Sequence, residues 1–250
     1  MAAESRVIQL QSLAFGSFAE AEPLNPRFSA GHPKLRLTVD SESNPSCSDR
    51  ALLVELTRAF PGLGGHFCQM SAASDRERDP QGIVLLDSEP SANQAHLLEH
   101  LVLEMLSYVD HRSRLSGVTC AYATPPERND VFVECADADS GSLVGLLAIS
   151  AMNAALAGRP IAPLYPDALR CARPLLHPGA PRTWDPSELA RASRVADGGA
   201  GVALEHFLGM GVVERETYAM NFSGEPHYRF VGAGRLSTWT GAAGAAVSEA

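Results

Sequence analysis

Two histidines and two glutamates interrupt an apolar run, "AHLLEHLVLEM", at residues 95–105. His96 and His100 are four residues apart, Glu99 directly precedes His100, and Glu104 follows one turn later. Side chains four residues apart on a helix lie one above the other, so both imidazoles could reach one ion at about 2.0–2.1 Å. A carboxylate beside that ion could deprotonate a bound water and later protonate a leaving amine. The H-x-x-E-H pattern, the inverted zincin motif, therefore predicts a Zn²⁺ site with Glu99 as the catalytic base.

A hydrolytic zinc site needs a third protein ligand and one open position. Glu104 lies roughly 6 Å further along the helix axis than His100, so it fits better as an acceptor that orients His100, with direct ligation as the alternative. Glu134, in the strand "VFVEC", is the preferred third ligand; its alternative role is a solvent-facing strand residue. His66 and Cys68, in "GGHFC", are further candidates, and shaping the site or packing in the core is the simpler interpretation for both.

The composition of the polar stripe on this helix bears on whether it binds a metal. It contains no Lys or Arg, which an ordinary solvated face usually has, and the rest of the helix surface is apolar. A carboxylate buried without a partner costs several kcal/mol, and a metal cation would offset that cost. On the motif alone, the alternative is a polar helix face with two ordinary histidines.

Composition restricts the partners of the protein. The 250 residues include 29 acidic and 20 basic side chains, a net charge of −9 that argues against nucleic acid or an anionic membrane as the main partner. No apolar stretch was expected to reach the roughly 18 residues of a membrane span. The N-terminal residues do not have the pattern of a signal peptide, and the five cysteines lack CxxC spacing. We therefore expect reduced thiols and a cytoplasmic protein.

Hydrophobic patterning predicts an α/β fold over residues 1–160, with a mixed sheet packed against helices. Alternating strands begin at "RVIQLQSLAF" and "PKLRLTVDS", and a hairpin is expected between "GVTCAYA" and "DVFVECA". The helix that carries the histidines should begin at a capping box formed by Ser91 and Gln94.

The C-terminal part of the chain has a different character. Six prolines fall within residues 160–183. This density of prolines predicts a semi-rigid linker over residues 161–183. Residues 184–236 have the helix, helix, strand, strand order of a small winged-helix-like domain, and residues 237–250 read as a flexible tail. The presumed recognition helix, residues 199–209, has no Lys or Arg, so we expect homodimerisation or peptide docking rather than DNA binding.

Three segments together resemble the N-terminal domain of cyanophycin synthetases: "FPGLGGHFC", then "AHLLEHLVLEM", then "VFVECADADSGSLVGLLAISAMNAALAGRP". The resemblance covers residues 5 to 160. It implies a domain that binds a peptide polymer and that, in some members, contains a metallopeptidase-like zinc site. The family positions that match are His96, Glu99, His100, Glu104 and Glu134.

Two segments depart from the family pattern, and both would be expected to touch substrate. They are "GVTCAYATPP", where the family has Gly-Arg-Thr-Arg, and "QMSAASDRERD", where it has a glycine-rich loop. The ATP-grasp and Mur-ligase-like domains of the full synthetases have no counterpart in the 250 residues, so their ligase activities are not expected.

The first functional hypothesis is a zinc-dependent metallopeptidase or amidase that hydrolyses an amide or isopeptide bond in a small peptide or amino-acid conjugate. Zinc would lie on His96, His100 and Glu134, and Glu99 would activate water. The alternative is a non-catalytic peptide-binding or regulatory module, in which the polar stripe is a structural network. A DNA-binding metal sensor is a distant third hypothesis.

Overall fold

Helices and antiparallel sheets make up the described part of the protein, so the predicted mixed α/β class is confirmed. The computed structural model describes residues 8–41, 50–69, 83–86, 93–110, 115–181, 183–216 and 226–232. The strands are β1 (Gln9–Gly16), β2 (Lys34–Asp40), β3 (Phe67–Gln69), β4 (Ile83–Leu85), β5 (Gly117–Ala121), β6 (Arg128–Glu134), β7 (Thr183–Trp184), β8 (Val213–Glu216) and β9 (His227–Phe230). The helices are α1 (Arg50–Ala59), α2 (Gln94–Val109), α3 (Ala138–Leu156), α4 (Leu164–Leu176), α5 (Pro186–Ser193) and α6 (Asp197–Gly209).

The main sheet has the strand order β1–β2–β6–β5. Every pairing recorded among its described strands is antiparallel, which corrects the expected mixed sheet. The predicted β5–β6 hairpin is present, with Gly117 opposite Val133 and Ala121 opposite Asn129. Two smaller antiparallel sheets pair β3 with β4 and order the C-terminal strands as β7–β9–β8.

One face of the main sheet packs against helices α2 and α3. Leu35 and Leu37 lie opposite Val133 and Val131, and all four side chains are completely buried. Gly145 of α3 comes so close that an added Cβ would lie 3.1 Å from the methyl groups of both leucines. Because successive strand residues point to opposite faces, Val131 and Val133 of β6 both lie on the face that packs against the helices.

The other face of the sheet is covered by the connection between β1 and β2, residues 17–33. Phe18 packs edge-on against Phe132 of β6, with ring centroids 5.5 Å apart. Glu134, two residues further along β6, accepts a hydrogen bond from the backbone N–H of Ser29 at 2.6 Å. Glu134 therefore serves as an anchor for this connection, on the face away from α2.

Helix α2 is buried on almost all sides and lies between the main sheet and the β3–β4 hairpin. It begins at Asn93, whose side chain accepts a hydrogen bond from the backbone N–H of His96 at 2.9 Å. The residue that caps the helix is therefore Asn93, which accepts the N–H three residues ahead. This corrects the expected capping box, in which Ser91 has that role. Ser91 itself lies outside the described residues.

The segment expected to be a proline-rich linker contains helix α4, whose buried side chains join the core. Its apolar residues recur at helical spacing, and the helix packs on α2, α3 and α6. Prolines had suggested a connector, but Pro166 lies in the first helical turn, where a missing N–H costs little, and Pro174 lies near the end. The linker prediction is therefore corrected over Leu164–Leu176, and the predicted tail lies outside the described residues.

Helix α3 is long and apolar enough to cross a membrane by length and composition, so the expectation that no segment reaches that length is also corrected. However, 67% of its apolar window is buried inside the protein, as is common for the core helix of a folded domain. The helix packs on the face of the sheet that carries Leu35 and Leu37, and its own glycines fit against these leucines. This packing accounts for the burial of the helix.

Asn153 of α3 holds the first described residue of the chain in place. Its side-chain oxygen accepts from the backbone N–H of Ile8 at 2.8 Å, and its amide donates to the backbone oxygen of Ile8 at 3.0 Å. We expect Asn153→Ala to lower the free energy of unfolding by about 2 kcal/mol, because two buried backbone groups lose their partner. The free energy of unfolding of Asn153→Asp should lie between those of the original protein and Asn153→Ala, since the aspartate keeps one acceptor. Chemical denaturation measures both.

The control for this prediction is Glu55→Ala, which removes only an exposed ion pair with Arg58. It should change the free energy of unfolding by less than about 0.5 kcal/mol. If Asn153→Ala were as mild as this control, the two bonds to Ile8 would not be what secures the start of β1.

Candidate metal centre

Cys68, His96 and His100 bring three potential metal ligands together, with all three ligand atoms within 4.8 Å of one another. His100 Nε2 lies 3.0 Å from His96 Nε2 and 3.2 Å from Cys68 Sγ. Donors that share one tetrahedral zinc lie about 3.3–3.6 Å apart, given bond lengths near 2.0 Å to nitrogen and 2.3 Å to sulfur. These two distances are close to that range, so the cluster could hold a metal ion. One thiolate and two imidazoles suit zinc as well as copper or iron.

The segment around Cys68 is shaped so that its thiol points inward. A short 3-10 helix, Leu63–Gly65, ends at His66, whose backbone is extended and leads into β3. Strand β3 alternates, with Phe67 65% exposed and Cys68 only 2% exposed. The backbone oxygen of His66 accepts from the N–H of Leu86 at 2.8 Å, which fixes the hairpin beside α2.

His66 links His100 to Glu104 through two hydrogen bonds. Its Nε2 lies 2.9 Å from Glu104 Oε2, and its Nδ1 lies 3.3 Å from His100 Nδ1. A carboxylate only accepts, so a neutral His66 donates from Nε2 and accepts at Nδ1. His100 then carries its proton on Nδ1, which leaves the lone pair of Nε2 directed at His96 and Cys68. These tautomers place a free ligand atom in the centre of the cluster.

Burial and the neighbouring histidines keep His100 neutral. Desolvation, followed by the charges of His96 and His66, lowers the pKa of His100 to about 2. A metal ligand must be a neutral imidazole, so His100 is available for binding throughout the physiological range.

Glu99 directly precedes His100 on α2, and its side chain is directed toward strand β5. It is 6% exposed, and its Oε2 accepts a hydrogen bond from Thr119 Oγ1 at 2.6 Å. Burial raises the pKa of Glu99 to about 7, and the bond from Thr119 works against that rise. Gly117 leaves the space this carboxylate occupies, because an added Cβ would lie 2.9 Å from Oε1. Glu99 can thus hold or release a proton near neutral pH.

The preferred third ligand is corrected by this arrangement. Glu134 lies on the opposite face of the sheet from α2 and is bonded to Ser29, so its carboxylate cannot join the histidines. Cys68 is the third potential donor beside the two histidines. The sequence did carry a signal for it: His66 and Cys68 are two residues apart, and such residues share one face of a strand.

Glu104 is connected to His100 through His66 and not by a direct hydrogen bond in the described structure. Gly62 makes room for this carboxylate, because an added Cβ would lie 2.5 Å from Glu104 Oε1. His66, proposed from sequence as a supporting residue or an alternative ligand, therefore acts here as the connecting group.

Cobalt binding tests the ligand set directly. Co²⁺ added to the purified protein should give a sulfur-to-metal charge-transfer absorption, because a thiolate is one of the ligands. Cys68→Ser should abolish that absorption and weaken metal binding by more than about tenfold. Cys171→Ser is the matched control, since Cys171 is also completely buried but bonds Ser193 away from the cluster. An unchanged spectrum in Cys68→Ser would exclude Cys68 as a ligand.

Gly62→Ala tests the support of His100 without altering any polar side chain. The new methyl group should displace Glu104 from His66 and weaken zinc binding about 10- to 100-fold, as loss of an outer hydrogen bond does elsewhere. Gly65→Ala is the control, because nothing lies within 4 Å of the position its Cβ would take. Competition with a chromophoric chelator measures both affinities. Equal affinities in the two variants would show that Glu104 and His66 do not support the site.

Comparison with known proteins finds no match for this chain. No family model matches it, and neither does a curated protein or a solved structure.

Proposed function

We propose that this protein is a zinc-dependent hydrolase of amide or isopeptide bonds, with Cys68, His96 and His100 as ligands. The observation that carries the proposal is the convergence of three donors, two of them on the helix that also carries the buried carboxylate of Glu99. Three protein ligands leave a fourth position for water or substrate, as in hydrolytic rather than structural sites. When bound, zinc would lower the pKa of water and polarise a carbonyl group.

Glu99 is proposed as the group that moves the proton. It lies one residue before His100, and Thr119 donates to one of its oxygens, which leaves the second oxygen to accept from a water. After taking a proton from that water, Glu99 would pass the proton to the leaving nitrogen of the cleaved bond. The nearby Gly117 lets the carboxylate sit close to the strand, so its position is set by packing as well as by hydrogen bonding.

The substrate class is proposed from two sources. The H-x-x-E-H order on α2 is that of metallopeptidases, and the segments around it resemble the N-terminal domain of cyanophycin synthetases. A small peptide, isopeptide or amino-acid conjugate fits both. This ligand set differs from the one expected from the sequence, because Cys68 replaces Glu134.

A winged-helix-like role is proposed for the C-terminal region. Its elements follow the order α4, β7, α5, α6, β8, β9, and the strand order β7–β9–β8 supports that architecture. On α6, Val202 is 55% exposed and Glu205 is engaged by Arg215 and Tyr228. The exposed Val202 and the lack of Lys or Arg on this helix favour homodimerisation or peptide docking over contact with DNA phosphates.

A non-catalytic peptide-binding or regulatory module is the second candidate. The observation in its favour is that the polar groups of α2 already have partners: Glu104 bonds His66, His66 bonds His100, and Glu99 bonds Thr119. Such a network can satisfy a buried polar helix face without a metal. The two candidates differ in whether zinc binds and whether Glu99 affects turnover.

Glu99→Gln separates binding from catalysis. The zinc-loaded protein is incubated with a panel of aminoacyl anilides and isopeptide-linked dipeptides, and products are followed by mass spectrometry. We expect Glu99→Gln to lower kcat by at least about 100-fold, because the proton-transfer group is lost, while zinc content is unchanged. Glu55→Gln, on the exposed side of α1, is the control and should retain full activity.

Turnover that persists undiminished in Glu99→Gln would remove Glu99 as the base. A wild-type protein that binds no zinc, or binds it without hydrolysing any member of the panel, would favour the binding module. Zinc lost together with activity in Glu99→Gln would instead make Glu99 a structural support of the ligands.

A further inference from the structure

A basic cleft lies at the junction of α2, α4, β7 and α5, away from the metal cluster. It encloses about 720 Å³, within the size range of small-molecule sites. Helix α4 contributes Arg170 and Arg173, and the C-terminal end of α5 contributes Arg194. Along helix α2, Tyr108 of this cleft lies roughly 12 Å beyond His100, so the two sites are separate.

The charge of this cleft is opposite to that of the protein as a whole. The chain carries a net charge of −9, yet none of the described lining residues is acidic. Asp167, one turn earlier on α4, pairs with Arg170 at 2.6 Å. In the part of the chain that the structure describes, Arg194 forms no ion pair. A concave surface with several arginines and no carboxylate attracts a compact anion.

The remaining lining residues favour an anion that carries an apolar or planar body. Trp184 and Pro174 provide apolar surface, and Tyr108 and Ser193 provide hydroxyl groups. Arginine forks bind phosphate and carboxylate in the same two-point geometry, and aromatic rings cover flat groups. A ligand of this kind would place its charged end on the arginines and its body against Trp184.

We propose that the cleft between α4, β7 and α5 is a binding site for a small organic oxyanion, a phosphate or carboxylate attached to an apolar body. Arg170 and Arg194 bind the oxyanion from opposite walls. Arg170 donates a hydrogen bond to Asp167, which is not one of the residues that line the cleft. The site does not depend on the proposed hydrolase activity or on bound metal. A nucleic acid is disfavoured because the charge is confined to a concave cleft in an acidic protein.

Calorimetric titration of the full chain tests the site with defined probes. The probes are adenosine 5′-monophosphate and phenylacetate as organic anions, inorganic phosphate as the anion alone, and adenosine as a planar body alone. We expect at least one organic anion to bind more tightly than phosphate, and adenosine not to bind. Arg170→Gln and Arg194→Gln should each weaken that binding about tenfold, as expected for loss of a charged hydrogen bond.

Arg191→Gln is the matched control for Arg194→Gln. It makes the same change on the same helix, but Arg191 bonds the backbone oxygen of Ser187 and does not line the cleft. Its affinity should stay within about twofold of the original. Thermal unfolding of all three variants confirms that each is folded. The relative affinity for adenosine monophosphate and phenylacetate then identifies the preferred oxyanion.

Three results would overturn the proposal. The first is the absence of binding by every anion up to about 10 mM, a limit weaker than useful small-molecule recognition. The second is an equal loss of binding in Arg191→Gln, which would indicate general charge attraction. The third is binding of a short DNA duplex through these arginines with no binding of the small anions. None of these results bears on zinc binding or on Glu99, so failure here is distinguishable from failure of the proposed hydrolase.

Discussion

The hydrogen-bonded row on α2 is the constraint on which the site depends. A helix buried on nearly all sides presents His100 and Glu104 to the core, and both would be costly there without partners. His66 meets both, because the backbone turns from the 3-10 helix into β3 at the right height. The same turn brings Cys68 inward. A single local feature of the backbone therefore gives His100 and Glu104 a shared partner and brings Cys68 next to His100.

Glycine is used on both flanks of α2 where its carboxylates need space. Gly117 of β5 faces Glu99, and Gly62 faces Glu104, and in each case a Cβ would collide with a carboxylate oxygen. These are positions where the absence of a side chain determines where a charged group can lie. The sheet and the 3-10 segment thus hold the two glutamates apart, one toward Thr119 and one toward His66. That separation gives the two carboxylates different chemical roles.

Local patterns in the sequence were enough to predict α2, the β5–β6 hairpin and the first two strands, because each has a clear apolar period of its own. The pairing of His96 with His100 follows from helix geometry alone. The third ligand could not be obtained this way, since it depends on which face of the sheet each strand residue takes. Glu134 falls on the far face, and only the register between β2 and β6 reveals that. Helix α4 was missed because prolines at its ends masked a regular apolar stripe.

The polar row and the basic cleft lie at opposite ends of one helix. His96, His100, Glu104 and Tyr108 follow one another at four-residue spacing, so they form a continuous ridge along α2. Glu104 bonds His66 near the metal cluster, and its charge also raises the pKa of Tyr108 at the cleft, after burial as the larger cause. Phe60 packs edge-on against Tyr108, with ring centroids 6.5 Å apart. The candidate metal site and the cleft therefore share one buried helix, α2, which contributes His96 and His100 to the first and Tyr108 to the second.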